Sequence, residues 1–176
     1  NLASVKREVF EFFDNVIVNE DDPVIKKNRL DLIIEKSTEL GVSRLQPVVT
    51  DRTNIVGFNR ARARLTAIEA AEQCGRLTVP EIDSPSKLES ILENWPSARP
   101  LFWADPRSDN SRVCGSLSPG ALLVGPEGGL NDNDLSILQD HPACSAVYLG
   151  PRILRVETAA IAMLVLWQVN CGDWST

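Results

Sequence analysis

Two glycine-containing segments lie where apolar runs of the sequence end or begin. Gly125-Pro-Glu-Gly-Gly directly follows Ala121-Leu-Leu-Val, and Leu149-Gly-Pro-Arg-Ile-Leu-Arg-Val-Glu precedes a long apolar stretch. Glycine lets backbone N–H and C=O groups approach a ligand closely, because no Cβ intervenes. In open α/β sheets, ligands bind at the carboxyl ends of strands. The two segments together therefore predict one ligand pocket.

Neither segment matches a phosphate-binding motif. The patterns G-x-x-x-x-G-K-[ST] and G-x-G-x-x-G are both missing from the loop at Gly125. Taken alone, that loop is more typical of a tight turn that leads into a helix. Its assignment to a pocket depends on the second segment and on the charged residues beside it.

Charged side chains stand where the apolar C-terminal stretch begins. Arg152, Arg155 and Glu157 open a segment that is apolar nearly all round, and charges in such a place usually cap, pair or bind. A helix cap with a surface pair between Arg155 and Glu157 explains them as well as a binding role does.

The composition disfavours several other classes of protein. The single histidine, His141, lies in a loop-like Asp-His-Pro, which argues against a Ser-His-Asp hydrolase. The four cysteines lack Cys-x-x-Cys spacing, so neither a metal site nor a disulfide framework is predicted. No apolar run approaches the roughly 20 residues that cross a bilayer, and the N-terminus lacks the apolar core of a signal peptide. We expect a cytoplasmic protein without membrane contact.

The net charge of −6 argues against broad binding of a polyanion. Residues 1–22 carry most of that negative charge, and arginines recur in segments that resemble site loops. A local basic patch can bind RNA on an acidic protein. For Arg60, Arg62 and Arg64, however, a solvated surface is the more typical explanation.

Hydrophobic periodicity predicts an α/β domain with a parallel sheet. The predicted helices lie at about residues 27–40, 59–75, 131–139 and 156–169, and the predicted strands at 44–49, 101–104, 121–124 and 146–149. Gly41 should end the first helix and Asn131 should cap the third. The last helix is apolar on nearly all sides, so it should be buried in a large core or in an interface, and we favour a subunit interface.

Four blocks of the sequence are similar, in order, to a known family. They are Lys36-Ser-Thr-Glu-Leu-Gly-Val, Glu69-Ala-Ala-Glu-Gln-Cys-Gly-Arg with Val79-Pro80, Leu123-Val-Gly-Pro-Glu-Gly-Gly, and Leu149-Gly-Pro-Arg-Ile-Leu-Arg-Val-Glu-Thr-Ala. Together they resemble the signature blocks of the bacterial enzymes that methylate uridine N3 in 16S ribosomal RNA, within the SPOUT superfamily. The resemblance extends from about Lys26 to Gly172-Asp-Trp, essentially the whole catalytic domain of that family.

The resemblance implies a parallel α/β fold with a C-terminal trefoil knot, a rare exception to the rule against knots. It also implies a homodimer, S-adenosylmethionine as cofactor, and as substrate the ribosomal RNA of an assembled or nearly assembled small subunit. Residues 23–176 would form the methyltransferase domain, and residues 1–22 a linker or the remnant of an N-terminal RNA-binding domain of the PUA type. An apolar strand is expected just before Lys26, yet the sequence there is Val18-Asn-Glu-Asp-Asp-Pro. Either the register differs or the chain omits native segments.

The resemblance places the cofactor in the two glycine-containing loops. The candidate cofactor-binding residues are Val124, Gly125, Pro126, Gly128, Gly129, Leu149, Gly150, Ile153 and Leu154. Where many relatives have threonine between the arginine and the glutamate of the last block, this chain has Val156. A role for that hydroxyl is therefore absent here, and we expect activity to survive.

Methylation of uridine N3 also requires control of a proton. N3 is protonated at neutral pH, so a base must remove the proton or a cation must stabilise the anion. Glu127 or Glu157 is the candidate base, and Arg155 or Arg52 the candidate stabiliser. A further set would orient RNA or brace the fold, with bracing favoured: Glu39, Glu72, Gln73, Arg76 and Arg152.

Two alternatives remain open. The same fold could methylate another base of ribosomal or transfer RNA. The chain could also be a catalytically idle RNA-binding protein that keeps the fold, which predicts no affinity for the cofactor.

Overall fold

A computed structural model describes residues 11–14, 23–52, 58–110 and 119–174. Its strands are β1 (Glu11–Asp14), β2 (Arg44–Val49), β3 (Glu81–Ile82), β4 (Ser86–Lys87), β5 (Leu101–Ala104), β6 (Ala121–Val124) and β7 (Cys144–Val147). Its helices are α1 (Pro23–Glu39), α2 (Arg60–Gln73), α3 (Leu88–Glu93), α4 (Asp132–Asp140) and α5 (Val156–Asn170).

The strands form a sheet in the order β3-β2-β1-β6-β5-β7, with β4 also paired to β2. Every described pair is parallel. Because parallel strands point the same way, β2, β5, β6 and β7 all end at one edge of the sheet. The loops that follow these strands are therefore gathered at that edge.

The sheet is covered on both faces, as its continuous apolar strands require. Alternate residues of β5 and β6 enter two separate hydrophobic clusters: Leu122 and Val124 pack with α1, α2 and α5, whereas Ala121 and Leu123 pack with α3 and α4. All four residues of β6 are buried. The predicted α/β class with a parallel sheet is confirmed, as a three-layer arrangement.

Most predicted elements lie where the sequence placed them. Strands 44–49, 101–104 and 121–124 are confirmed, and the four predicted helices differ from α1, α2, α4 and α5 mainly at their ends. The strand predicted at 146–149 is instead β7, at Cys144–Val147. It pairs with β5, and the ladder ends where Ala104 meets Val147. Beyond that point the Tyr148 N–H donates to the Asn110 carbonyl at 2.6 Å instead.

The apolar strand expected just before Lys26 lies further upstream. It is β1, Glu11–Asp14, and it pairs with β2 on one side and β6 on the other. The expected register was therefore wrong, and residues 1–22 contribute a central strand. Whether the rest of that segment is a linker or a domain remnant stays a prediction.

Helix α5 is packed on one side and open on the other. Val156, Ala160, Met163 and Trp167 are buried in the core. The amide of buried Gln168 donates to the Leu40 carbonyl and its oxygen accepts from the Asp173 N–H, which joins α5 to the end of α1. The outward side, with Ile161, Ala162 and Val165, is half-buried. Within the three long described segments, no helix is long and apolar enough to span a membrane.

Asn131 caps α4 as predicted, and does so reciprocally. Its side chain accepts from the Asp134 N–H at 2.7 Å, and the Asp134 carboxylate accepts from the Asn131 N–H at 3.1 Å. Burial raises the pKa of Asp134. The Asn131 amide also donates to Asp51 at 2.7 Å, so the cap joins the end of β2 to the beginning of α4.

Replacing Asn131 with alanine removes both the cap and the bond to Asp51. We expect the free energy of unfolding, measured by urea denaturation, to fall by about 0.5–2 kcal/mol. Asn133→Ala is the matched control two residues away, because the exposed Asn133 amide lies 3.3 Å from Glu89 and exposed polar contacts contribute little. Equal losses in the two variants would contradict the capping role.

Candidate functional site

A cavity of about 660 Å³ opens at the edge where the strands end. Three loops surround it: the glycine-rich loop after β6 (residues 125–131), the loop after β7 (residues 148–155) and the loop after β5 (residues 105–110). A volume of this size suits a small-molecule ligand or cofactor. The topology therefore brings together the two glycine-containing segments, as predicted, and adds a third loop.

Apolar side chains from several elements form most of the cavity wall. They are Val124, Leu130, Leu135, Val147, Leu149, Leu154, Val156 and Ala159. Eight of the nine predicted cofactor-binding residues line the cavity: Val124, Gly125, Pro126, Gly129, Leu149, Gly150, Ile153 and Leu154. Gly128 is the exception among them. Ile153 is 91% exposed and lies at the rim.

The backbone of both glycine-containing loops uses a conformation that other residues rarely adopt. Gly129 has a φ of 70° and Gly150 a φ of 107°. No heavy atom lies within 4 Å of where a Cβ on Gly150 would be. The requirement for glycine at that position therefore comes from the backbone and not from crowding.

Both candidate bases belong to one ionic cluster, centred on a residue that the sequence analysis missed. Arg29 of α1 donates to the carboxylate of Glu127, and its Nε lies 3.9 Å from Oε1 of Glu157. Arg29 and Glu127 line the cavity, and Glu157 lies beside them at the beginning of α5. Oε2 of Glu157 is buried and has no hydrogen-bond partner among the described residues. Nothing in the sequence around Arg29 distinguishes it from the other charges of α1.

The two candidate stabilising arginines occupy different places. Arg155 is exposed and lines the cavity. It precedes α5 without capping it through its side chain, and among the described residues it forms no ion pair with Glu157. The structure therefore shows neither a side-chain cap from Arg155 nor a surface pair between Arg155 and Glu157, although Glu157 does stand in the first turn of α5. Arg52 lies behind the glycine-rich loop, where its guanidinium donates to the Gly128 carbonyl at 2.8 Å.

The residues predicted to orient RNA or brace the fold are split between two places. Arg152 is exposed at the cavity rim. Glu39 and Arg76 lie near the ends of α1 and α2, by the amino ends of the strands and away from the cavity: Glu39 pairs with Lys36 at 2.8 Å, and Arg76 donates to the Thr38 carbonyl at 2.6 Å. Two exposed residues at the end of α2 share this region: Glu72 and Gln73.

The loop after β5 contributes an ion pair that the sequence analysis also missed. The guanidinium of Arg107 donates through two nitrogens to the two oxygens of Asp105, each at 2.9 Å. The backbone N–H of Arg107 donates to the same carboxylate. These bonds hold the pKa of the buried Asp105 below its ordinary value. A signal was available, because Asp105 directly follows a predicted buried strand, as Gly125 does.

Comparisons with known proteins identify the family that this chain matches. Residues 23–168 match the family described as "RNA methyltransferase domain". "Ribosomal RNA small subunit methyltransferase E" of Rickettsia conorii is 32% identical over 145 residues, which are 80% of this chain and 59% of that protein. The chain therefore spans about three fifths of the length of this relative.

Solved structures are similar as well. The small subunit methyltransferase E of Neisseria gonorrhoeae bound to S-adenosyl methionine has a TM-score of 0.77 at 28% identity, covering 95% of this chain and 69% of that one. A Legionella pneumophila protein described as a "putative methyltransferase" with the bound cofactor SAM has a TM-score of 0.75 at 27% identity, covering 93% of this chain and 68% of that one.

The pairing of Asp105 with Arg107 predicts a pH-dependent contribution to stability. Because the pKa of Asp105 is lowered by folding, its contribution is present above the ordinary carboxyl pKa and is lost as pH falls through the lowered value. Arg107→Met should therefore be less stable than the parent at neutral pH, and the gap should close under acid conditions. Urea denaturation across a pH series measures this. A gap that does not change with pH, or that appears equally in the exposed-arginine control Arg64→Met, would contradict it.

Proposed function

The chain belongs to the RNA methyltransferase domain family, and from this premise we propose that it transfers a methyl group from S-adenosylmethionine to N3 of a uridine in 16S ribosomal RNA. One observation carries the proposal: two glycine-containing loops wall a cavity at the carboxyl edge of a parallel sheet. The Neisseria structure of the same fold is described as bound to this cofactor.

The residues present suit S-adenosylmethionine on physical grounds. The cavity of about 660 Å³ lies within the usual range for cofactor sites, and its apolar wall offers a surface for a flat base. Backbone groups of the two loops stand open because Gly129 and Gly150 carry no Cβ. The cluster of Arg29 with Glu127 and Glu157 holds one positive and two negative charges, which favours a cationic ligand.

When bound, S-adenosylmethionine supplies an electrophilic methyl group that a nucleophile displaces in line. The chain must then orient the uridine and manage the N3 proton. Glu127 lines the cavity and Glu157 lies next to it with one uncommitted oxygen, so both carboxylates stay candidates for the base. Arg155 reaches the same cavity from the exposed rim, where it can stabilise the uridine anion.

Arg52 has a different role in this proposal. Its guanidinium holds the glycine-rich loop from behind through the Gly128 carbonyl. It thereby positions Glu127 without lining the cavity itself. Arg152 and Arg155 are exposed at the rim and form a basic patch that can bind RNA phosphates, although the net charge of the protein is negative.

The proposal includes the other features that the family resemblance implies. These are a trefoil knot, a homodimer, action on an assembled or nearly assembled small subunit, and a place in the cytoplasm. The outward side of α5 supports the dimer, because Ile161 and Val165 are only half-buried within one chain and Val169 is 54% exposed.

The reaction is tested by incubating the protein with bacterial small subunits and S-adenosylmethionine carrying a deuterated methyl group. Digestion of the RNA and mass spectrometry should yield labelled N3-methyluridine. A label on another nucleoside would favour the same fold acting on a different base. No label, together with no affinity for the cofactor, would favour the idle RNA-binding protein.

Arg155→Ala should lower turnover much more than cofactor affinity. Loss of one charged stabiliser of a developing anion typically costs about 10²–10³-fold in kcat, whereas S-adenosylmethionine binding should change little. Steady-state kinetics and equilibrium dialysis measure the two effects. Arg64→Ala, an exposed arginine on α2 away from the cavity, should leave both unchanged. A loss confined to cofactor binding would refute the role assigned to Arg155.

Gly150→Ala should impair the cofactor site through the backbone alone. Alanine at a φ of 107° costs about 1–3 kcal/mol or shifts the loop, so S-adenosylmethionine affinity should fall at least tenfold. Gly75→Ala is the matched control, since Gly75 also has a positive φ and open space around it, but lies after α2 and away from the cavity. If both variants bind the cofactor like the parent, the second loop does not hold it.

A further inference from the structure

Arg29 connects parts of the chain that are distant in sequence. It lies on α1, 98 residues from Glu127 in the glycine-rich loop after β6, and still further from Glu157 at the beginning of α5. Glu127 is on one wall of the cavity. Glu157 directly follows the segment that forms the other wall. The guanidinium of Arg29 therefore contacts Glu127 on one wall and lies 3.9 Å from a carboxylate oxygen of Glu157, which flanks the other wall.

The cluster is partly shielded from water, which strengthens its interactions. The side chains of Arg29 and Glu157 are each 14% exposed, and that of Glu127 is 24% exposed. Pairs on an open surface contribute little, because solvent screens them and the side chains lose freedom. In a partly shielded cluster, removal of one member costs more than it does on an open surface. The position of Arg29 is thus costly to change.

The geometry points to Arg29 as a positioning residue of the cofactor site. By holding Glu127 and Glu157 at once, it keeps the glycine-rich loop and the beginning of α5 at the spacing that the cavity requires. The identity of the ligand rests on the proposed function. The connection between the two walls follows from the contacts of Arg29 and does not depend on which ligand binds.

The chemistry of the side chain explains why an arginine stands here. A guanidinium presents five N–H groups in a planar fork and can serve two carboxylates in different directions. Without it, the two carboxylates that both lie close to its guanidinium would repel each other more strongly. Lysine supplies the charge from a single point, so it restores only part of the arrangement.

Affinity for S-adenosylmethionine, measured by titration calorimetry on the whole chain, gives the first test. Arg29→Met should weaken binding at least tenfold, and Arg29→Lys should recover part of the loss. Arg62→Met is the matched control. It removes the ion pair between Arg62 and Asp31, and Asp31 lies on α1 as Arg29 does, but neither Arg62 nor Asp31 lines the cavity. Its affinity should stay within about twofold of the parent. Equal binding by Arg29→Met and the parent would overturn the inference.

A second variant separates positioning from simple charge balance. In Arg29→Met with Glu127→Gln, the repulsion between the carboxylates is removed along with the cation. The thermal midpoint should therefore return toward that of the parent, whereas hydrogen exchange in residues 125–131 and 148–155 should stay faster than in the parent. If exchange slows to the parent rate together with the return of stability, Arg29 acts only through charge and the inference is wrong.

A third measurement needs no ligand, so that it stands apart from the proposed function. Hydrogen exchange of the ligand-free protein should be faster in both loops, residues 125–131 and 148–155, in Arg29→Met than in the parent or in Arg62→Met. Unchanged exchange in those loops would overturn the inference even if the chain binds S-adenosylmethionine. If Arg29→Met exchanges faster than the parent in both loops but the parent binds no S-adenosylmethionine, the proposed function is wrong and the positioning role of Arg29 stands.

Discussion

The parallel direction of the strands is the constraint on which the rest of the structure depends. Because β2, β5, β6 and β7 run the same way, their carboxyl ends and following loops meet at one edge. That edge holds the cavity, both candidate bases and the arginine at its rim. The opposite edge receives the ends of α1 and α2, where Arg76 braces the two helices. The division between a chemical edge and a structural edge thus follows from sheet topology.

Long-range polar contacts then give the loops a defined position. Arg29 reaches from α1 to Glu127 and Glu157, Arg52 reaches from the end of β2 to the Gly128 carbonyl, and Asn131 is bonded to Asp51. Each contact joins residues beside the cavity either to α1 or to the segment that follows β2. The glycines give the loops their unusual backbone, and these contacts limit how far that backbone can move. At the cavity, the apolar core of the domain and these polar contacts therefore act together.

The sequence was most informative where local patterns decide structure. Continuous apolar runs located β5 and β6, and the cap at Asn131 was visible from one residue type before a periodic segment. The glycine-containing loops were placed in one pocket by the rule that strand ends share an edge, and the same rule applied to Asp105 would have added the loop after β5. Arg29 could not be identified, because its partners are about 100 or more residues away and only the folded chain brings them together. The register of β1 was missed for a related reason: its strand is short, and its pairing with β2 and β6 is not local.

The central claim is that the cavity between the two glycine-containing loops is a site for S-adenosylmethionine. Titration calorimetry of the folded parent chain with this compound tests it most directly. The account predicts saturable binding with one site per chain, and weaker binding of a competing nucleoside that lacks the sulfonium charge. A folded chain that gives no binding heat, and whose thermal midpoint does not rise with excess S-adenosylmethionine, would contradict it.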